Sequence, residues 1–401
     1  MSRFLFVVPP LTGHTNPTVA VGTELAARGH EVAWCGYPGF LRPLLPPDAV
    51  VIPAGEDLPA DLVGSIEQRS QGLRGAAAFK FLWEDFLGPL AHAMVGGVDA
   101  AVSAFAPDVM VVDQQTVAGA LIARRRGIPW ATSATTSADL VDPFGGLPKL
   151  REWSDHHLSS FAAAHGATGY DATPQALRFS DQLVVAFTTP ELVGEALVTE
   201  SPVAFVGPAF AGRPTHDDFP WEWISAEAHE QPAPLVLVSL GTVSTDAGER
   251  FFRAAVDAFG DGPYRAVVVA PPEMFPAGVP ANVLVCRRVP QVALLAHVSA
   301  VVSHAGHNTV CETLAYGIPL VVAPIRDDQP VVAAQVVAAG AGIRVKFARV
   351  RPDDLRNAVD AVLTDPSFRF SADRIATSFR AAGGAASAAS HLEALIPGVH
   401  P

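Results

Sequence analysis

Short β-branched runs alternate with alanine-rich stretches of helical spacing along this 401-residue chain, and that alternation limits the fold more than any other feature. A strand followed by a helix and then another strand builds parallel sheet, covered on both faces by its own crossovers. In the first half the pattern predicts strands over 4–8, 31–35, 108–112 and 130–133, with a helix over 117–126. Asn16-Pro17 reads as a helix cap followed by proline at the first helical position, and Gly29 as that helix's stop. The stretch 58–98 reads as mostly helical and rich in large aromatics. In the second half, strands are expected over 235–240, 264–270, 283–286, 300–303 and 320–323, with helices following most of them.

The seam falls where Gly207-Pro208 opens a stretch holding Pro214, Pro220, Pro232 and Pro234. The expected organisation is therefore a Rossmann-like domain over 1–207, a linker over 208–233, and a second Rossmann-like domain over 234–367. A helical C-terminal segment, 368–401, would return to the first domain. At 401 residues the chain is long enough for two packed cores.

Charge narrows the partners. The chain has 27 basic and 40 acidic residues, a net charge of −13, which opposes binding to nucleic acid or anionic lipid. Cys35, Cys286 and Cys311 are odd in number and far apart, so neither a disulfide framework nor a cysteine zinc site is signalled, and a reducing cytoplasm fits. The apolar N-terminus ends at Pro9-Pro10, too short for a secretion signal or a membrane span. Asp155-His156-His157 reads as a solvated loop, and no metal site is expected.

Five segments carry candidate chemistry. His14 lies in the loop after the first strand, where an open α/β sheet presents residues to ligand, and a helix N-terminus favours the neutral, base-competent form of a nearby histidine. Asp113 ends a strand of the same half and could accept the Nδ1 proton of His14; its alternative role is to cap the next helix. In the second half, His304-Ala-Gly306-His-Asn308-Thr309 joins a buried strand to a helix, which makes an anion site of backbone N–H groups and side-chain donors. Glu312, one turn beyond Asn308, offers acceptors suited to ribose hydroxyls. Asp328-Gln329 repeats the strand-to-helix placement with groups suited to sugar hydroxyls, and Ser239-Leu-Gly241-Thr242 adds donors.

Together these segments resemble the family 1 inverting glycosyltransferases of the GT-B fold, most closely the bacterial macrolide-type members that decorate natural products. The likeness runs from Gly13-His14-x-Asn16-Pro17 through Ser239 to Thr242 and Arg288-Val289-Pro-Gln291 to the block His304 to Glu312 and Asp328-Gln329. It implies two Rossmann-like domains whose parallel sheets face a central cleft, the first binding the acceptor and the second a nucleotide sugar. It implies His14 as general base and Asp113 as its support. His304, Gly306, Asn308 and Thr309 would meet the diphosphate, with Thr242 nearby. Glu312 would meet the ribose, Asp328 and Gln329 the sugar, and Arg288, Val289 and Gln291 the base. Arg288 stands where many members stack uracil on an aromatic ring, which leaves UDP and dTDP both open.

The expected activity is transfer of a hexose from a UDP- or dTDP-hexose to a hydroxyl of a hydrophobic small molecule. The nucleotide sugar is a co-substrate, no cofactor is permanently held, and a homodimer is a candidate assembly. Phe81, Trp83, Phe86 and Phe144 are candidate acceptor walls. Two other readings stand beside it: a nucleotide-sugar epimerase or hydrolase of the same fold, and a non-catalytic partner of a transferase. Neither GxGxxG nor GxSxG accompanies the strand ends, which disfavours a nicotinamide dehydrogenase and an acyl-enzyme hydrolase.

Overall fold

The computed structural model describes residues 1–401 apart from 58–68, 70–71, 142–145, 195–196, 211–218, 226–232, 242–247, 261, 397 and 399–401. The chain forms two compact units. The first comprises Met1–Pro190, Glu195–Pro214 and Ala382–Pro401, and the second Glu191–Gly194 and Thr215–Ala381.

The first unit is built on β1 (Arg3–Val7), β2 (Glu31–Gly36), β3 (Val50–Pro53), β4 (Val109–Asp113), β5 (Trp130–Ala134), β6 (Val184–Ala186) and β7 (Val203–Phe205). All run parallel in the order β3-β2-β1-β4-β5-β6-β7. Period-two alternation splits β1 between two cores. Leu5 and Val7 join Met94, Val98, Leu121 and Phe161 on one face. Phe4 and Phe6 join Val19, Leu25, Trp34 and Leu392 on the other, where the Phe6 and Trp34 rings stack at 5.4 Å.

The last helix, Gly384–Glu393, belongs to this unit. Arg28 clamps it, donating to Glu393 Oε2 at 2.7 Å and to the Ala386 carbonyl at 2.9 Å, and His30 Nε2 lies 2.9 Å from Glu393 Oε1. The preceding helix, Pro366–Ala382, stays with the second unit as far as Ala381, so the returning segment is shorter than the stretch from 368 onward. Gly383 and Gly384, at φ 87° and 57°, make the turn that separates the two helices.

The second unit holds β8 (Leu235–Ser239), β9 (Arg265–Val269), β10 (Val283–Cys286), β11 (Ala300–Ser303), β12 (Leu320–Val322) and β13 (Gly342–Arg344), parallel in the order β10-β9-β8-β11-β12-β13. Phe251, Phe252 and Phe259 of the helix Glu249–Phe259 and Leu355, Val359 and Val362 of Pro352–Thr364 fill one core. In each sheet the strand order reverses direction at one place: between β1 and β4 in the first, between β8 and β11 in the second. Crossovers leave for opposite faces there, and the loops beyond the carboxyl ends part to make room for a ligand.

Two local readings are corrected. Asp155-His156-His157 is part of the helix Pro148–Ala164, where the His157 ring packs 4.5 Å from Trp153 one turn earlier. The helix after β1 starts at Thr12 rather than after Asn16, because the chain turns immediately after Pro9-Pro10, and Pro17 sits inside it. The helical stretch Gly75–Phe105 is long and apolar enough to cross a membrane, yet its Leu90, Met94 and Val98 are buried in the first unit's core. Residues 82–87 within it form a π-helical turn.

Neighbouring glycines of that stretch make a test. A Cβ on Gly97 would meet the Ala54 carbonyl oxygen at 2.0 Å, whereas one on Gly96 meets nothing within 4 Å. Gly97→Ala is expected to cost about 3 kcal/mol by steric overlap, and Gly96→Ala to stabilise by about 0.5–1 kcal/mol through helix propensity. Urea unfolding of the pair checks this: opposite signs are expected, and equal effects would contradict the close approach.

Candidate active site

The reversal in the first sheet brings two sequence-predicted residues together. Asp113 is the last residue of β4, which pairs with β1, and His14 lies in the first turn of the helix that follows β1. His14 Nδ1 is 2.9 Å from Asp113 Oδ2 and 3.0 Å from Oδ1. The Asp113 side chain is wholly buried and that of His14 is 15% exposed. A carboxylate accepts only, so Nδ1 carries the proton and Nε2 is left with the lone pair. Two further donors reach the carboxylate: the Gln115 backbone N–H at 2.8 Å on Oδ1 and the Thr135 hydroxyl at 2.8 Å on Oδ2. They satisfy a buried charge beside which, among the described residues, no Lys or Arg forms an ion pair. Asp113 thus holds its own loop as well as the imidazole, and the helix Val117–Arg126 begins without a side-chain cap.

In the second unit the reversal sets the loop after β8 beside the loop after β11, with Ser239 opposite Ser303 in register. His304 follows β11 and is 9% exposed. Its imidazole is wedged between two glycines: a Cβ on Gly241 would lie 2.7 Å from its Cε1, and one on Gly306 2.5 Å from its Nε2. Gly241 also has φ 73°, and Ala305 takes the same left-handed region at φ 68° to turn the chain into the helix His307–Ala315, with Gly306 as its cap. Burial brings the His304 pKa down to about 4, against the opposing pull of the Asp328 carboxylate and a hydrogen bond to the Ser239 backbone. The imidazole is therefore neutral at pH 7, a hydrogen-bonding group rather than a cation.

The other predicted residues of this unit gather at the same ends of the strands. Thr309 and Glu312 are buried on the helix His307–Ala315, and Gln291 Nε2 donates to Glu312 Oε2 at 2.6 Å. Asn308 is half-buried and Arg288 exposed, with Val289 half-buried beside it. Asp328 occupies the position before the helix Gln329–Ala338, without a side-chain capping hydrogen bond. Gln329 is buried, and its Oε1 accepts from the backbone N–H groups of Ile325 at 2.9 Å and Arg326 at 3.1 Å, so its carbonyl holds its own loop and its amide nitrogen is the part that remains for a ligand. Thr242 and Phe144 lie outside the described residues.

The family model for UDP-glucoronosyl and UDP-glucosyl transferase matches residues 213–379, the stretch that carries the His304 loop. Over nearly its whole length the chain is similar to the 4'-demethylrebeccamycin synthase of Lentzea aerocolonigenes, 31% identical with 98% of this chain and 100% of the relative covered. The chain belongs to this transferase family. The demethyllactenocin mycarosyltransferase of Streptomyces fradiae is 28% identical, with 99% and 87% covered. A solved glycotransferase of kitacinnamycin superposes with a TM-score of 0.76 at 25% identity, covering 99% of both chains. The protein is accordingly a glycosyltransferase of the bacterial natural-product type with the GT-B fold, using a nucleotide sugar as co-substrate.

Of the candidate acceptor walls, Trp83 lines a cavity of about 270 Å³ in the first unit together with His92, Val117, His157, Leu158 and Phe161. Phe86 packs against the core, and Phe81 lies 5.4 Å beneath the Arg69 guanidinium, so neither lines it. Among the described residues no cluster of three or more His, Cys, Asp or Glu side chains is placed to hold a metal ion. Sequence reasoning missed Thr135, one residue beyond β5, whose only local signal is a hydroxyl at a strand's carboxyl end.

Burial of His304 has a measurable consequence. Because folding depresses its pKa, the unfolded chain binds this proton first, and stability falls as pH drops from about 6.5 toward about 4, by up to about 1.4 kcal/mol per pH unit. NMR titration should find the His304 ring neutral at pH 5, and His304→Gln should flatten the acid slope of stability. A His304 resonance titrating at its ordinary value would contradict the wedged geometry.

Proposed function

We propose that this enzyme moves a hexose from a UDP- or dTDP-hexose to a hydroxyl of a hydrophobic small molecule, with inversion at the anomeric carbon. The observation that carries this reading is the short contact between His14 Nδ1 and the buried Asp113 carboxylate, which reserves Nε2 as a base. The first unit would take the acceptor, and the Trp83-lined cavity supports a greasy or flat one. Relatives named for demethylrebeccamycin and demethyllactenocin support a natural-product acceptor.

The step balances as follows. The acceptor oxygen forms a bond to the anomeric carbon as its proton passes to His14 Nε2. The bond between that carbon and the phosphate oxygen breaks, and the nucleoside diphosphate leaves with the electron pair. Asp113 stabilises the imidazolium that results. In the second unit His304, Asn308 and Thr309, with the first-turn N–H groups beyond Gly306, would hold the diphosphate as its charge grows. Neutral His304 would do so by hydrogen bonding, which leaves the helix N-terminus and the nearby Arg326 guanidinium as the local sources of positive potential. Thr242 would stand near the phosphates, Glu312 with Gln291 near the ribose, and Arg288 and Val289 near the base. Asp328 and the amide nitrogen of Gln329 would meet the sugar hydroxyls.

His14→Ala should lower transfer by about 10²–10⁴-fold, the usual worth of a positioned base, while nucleotide affinity stays within about twofold, since the change falls in the other unit. Rates from UDP- and dTDP-glucose and calorimetry with UDP and dTDP check both halves. Unchanged transfer would remove His14 from the mechanism, and lost nucleotide binding would show that its role is not confined to the acceptor.

A further inference from the structure

The Thr135 hydroxyl stands in a place that nothing in the proposed mechanism yet uses. Its Oγ1 is 2.8 Å from Asp113 Oδ2 and 2.8 Å from His14 Nδ1, so it touches both partners of the pair. Thr135 is 3% exposed and the Asp113 side chain is wholly buried, which leaves no room for solvent to replace that hydroxyl. The hydroxyl has one proton and the carboxylate can only accept, so the proton goes to Asp113 and an oxygen lone pair is turned toward Nδ1–H. Nδ1–H therefore has three acceptor oxygens within 3.0 Å: both carboxylate oxygens and Oγ1.

Each carboxylate oxygen is also pinned from outside the pair, Oδ1 by the Gln115 N–H and Oδ2 by Thr135. Two pins on opposite oxygens fix the plane of a carboxylate that would otherwise turn about its terminal torsion, a broad and soft one. Threonine suits the task because its β-branch restricts χ1 and so fixes the direction of the hydroxyl. The pin comes from the residue just past β5, the strand adjacent to β4, with Ser133 opposite Asp113 in register, so the sheet sets the spacing.

We propose that Thr135 is a positioning residue of this transferase, whose hydroxyl locks the His14 imidazole and the Asp113 carboxylate in one orientation and so aims Nε2. This rests on the reading of His14 as base. Thr135 acts through the other two and touches no reacting atom.

The test is a side-chain series at 135 on the full-length enzyme: Val keeps the branch without the hydroxyl, Ser keeps the hydroxyl without the methyl, and Ala keeps neither. Transfer from UDP- or dTDP-glucose to 4-methylumbelliferone is followed, together with nucleoside diphosphate affinity by calorimetry and the His14 Nδ1 proton by NMR. Thr135→Val and Thr135→Ala should lower kcat by about 10- to 100-fold, as small misplacements of a reacting group do, with acceptor KM and nucleotide affinity within about twofold. Both should move the Nδ1 proton resonance, and Thr135→Ser should restore rate and resonance. In Asp113→Ala, adding Thr135→Val should cost little more, because the pin then has no carboxylate to hold.

If Val and Ala match the parent in kcat and in the Nδ1 resonance while His14→Ala is inactive, this inference is overturned and the base assignment stands. If Ser behaves like Ala, the methyl rather than the hydroxyl matters, and the inference is overturned as well. The resonance decides the matter should a variant fold too poorly for kinetics. His14→Ala that retains transfer removes the base reading instead, and this inference with it.

Discussion

A parallel strand is reached only by crossing a face of the sheet, and each of these two sheets is wound outward from its first strand in both directions. β1 has β2 on one side and β4 on the other, and β8 is flanked in the same way by β9 and β11. The crossovers must then cover opposite faces, and the loops at the carboxyl ends of the central pair diverge. That constraint positions the two histidines and their immediate partners. His14 and Asp113 sit at the reversal of the first sheet, and Gly241 and His304 at that of the second.

The two reversals put histidine to opposite uses through the same variables, burial and hydrogen bonding. His14 is partly exposed and tied at Nδ1 to a carboxylate that, among the described residues, pairs with no Lys or Arg, so a charge arising on protonation would have its partner waiting. His304 is buried between two glycine backbones, and taking a proton there costs desolvation that the Asp328 carboxylate does not offset. In the proposed mechanism one ring gains a proton, while the other stays without one. The glycines are part of that arrangement, because a methyl group at either position would occupy the space of the ring.

Much of this was legible in the residues, and the gaps have physical causes. Strands such as Leu235–Ser239 and Ala300–Ser303 stand out because both faces are buried and the run is uniformly apolar or small. β3, β7 and β13 are edge strands of three or four partly exposed residues and β6 has three residues, so none presents the long buried run that marks β8. The Asn16-Pro17 cap misled because a proline can sit within the first turns of a helix that starts earlier, and the tight turn after Pro9-Pro10 decided the start. Likewise Asp155-His156-His157 has the polarity of a loop, yet it rides a helix held by Leu150, Leu158 and Phe161. Thr135 and the local duty of the Gln329 carbonyl depend on contacts between segments far apart or on a side chain folding back on its loop. No spacing rule reports either. The two Rossmann-like domains came through because they follow from the alternation of strands and helices, and the pairing of His14 with Asp113 because it follows from strand ends, whereas the GT-B class came from the resemblance that the motifs carry.

The account stands most directly on the claim that the His304 to Glu312 loop receives a nucleoside diphosphate while the catalytic base lies in the other unit. Calorimetric titration of the full-length protein with UDP and with dTDP tests it without any acceptor. The account predicts one site per chain, with at least one of the two binding at about micromolar affinity, roughly −8 kcal/mol, and with a heat unaltered by EDTA. Absence of binding by both diphosphates would mean that the loop is only a capped helix, and would contradict the assignment of the second unit as the donor side.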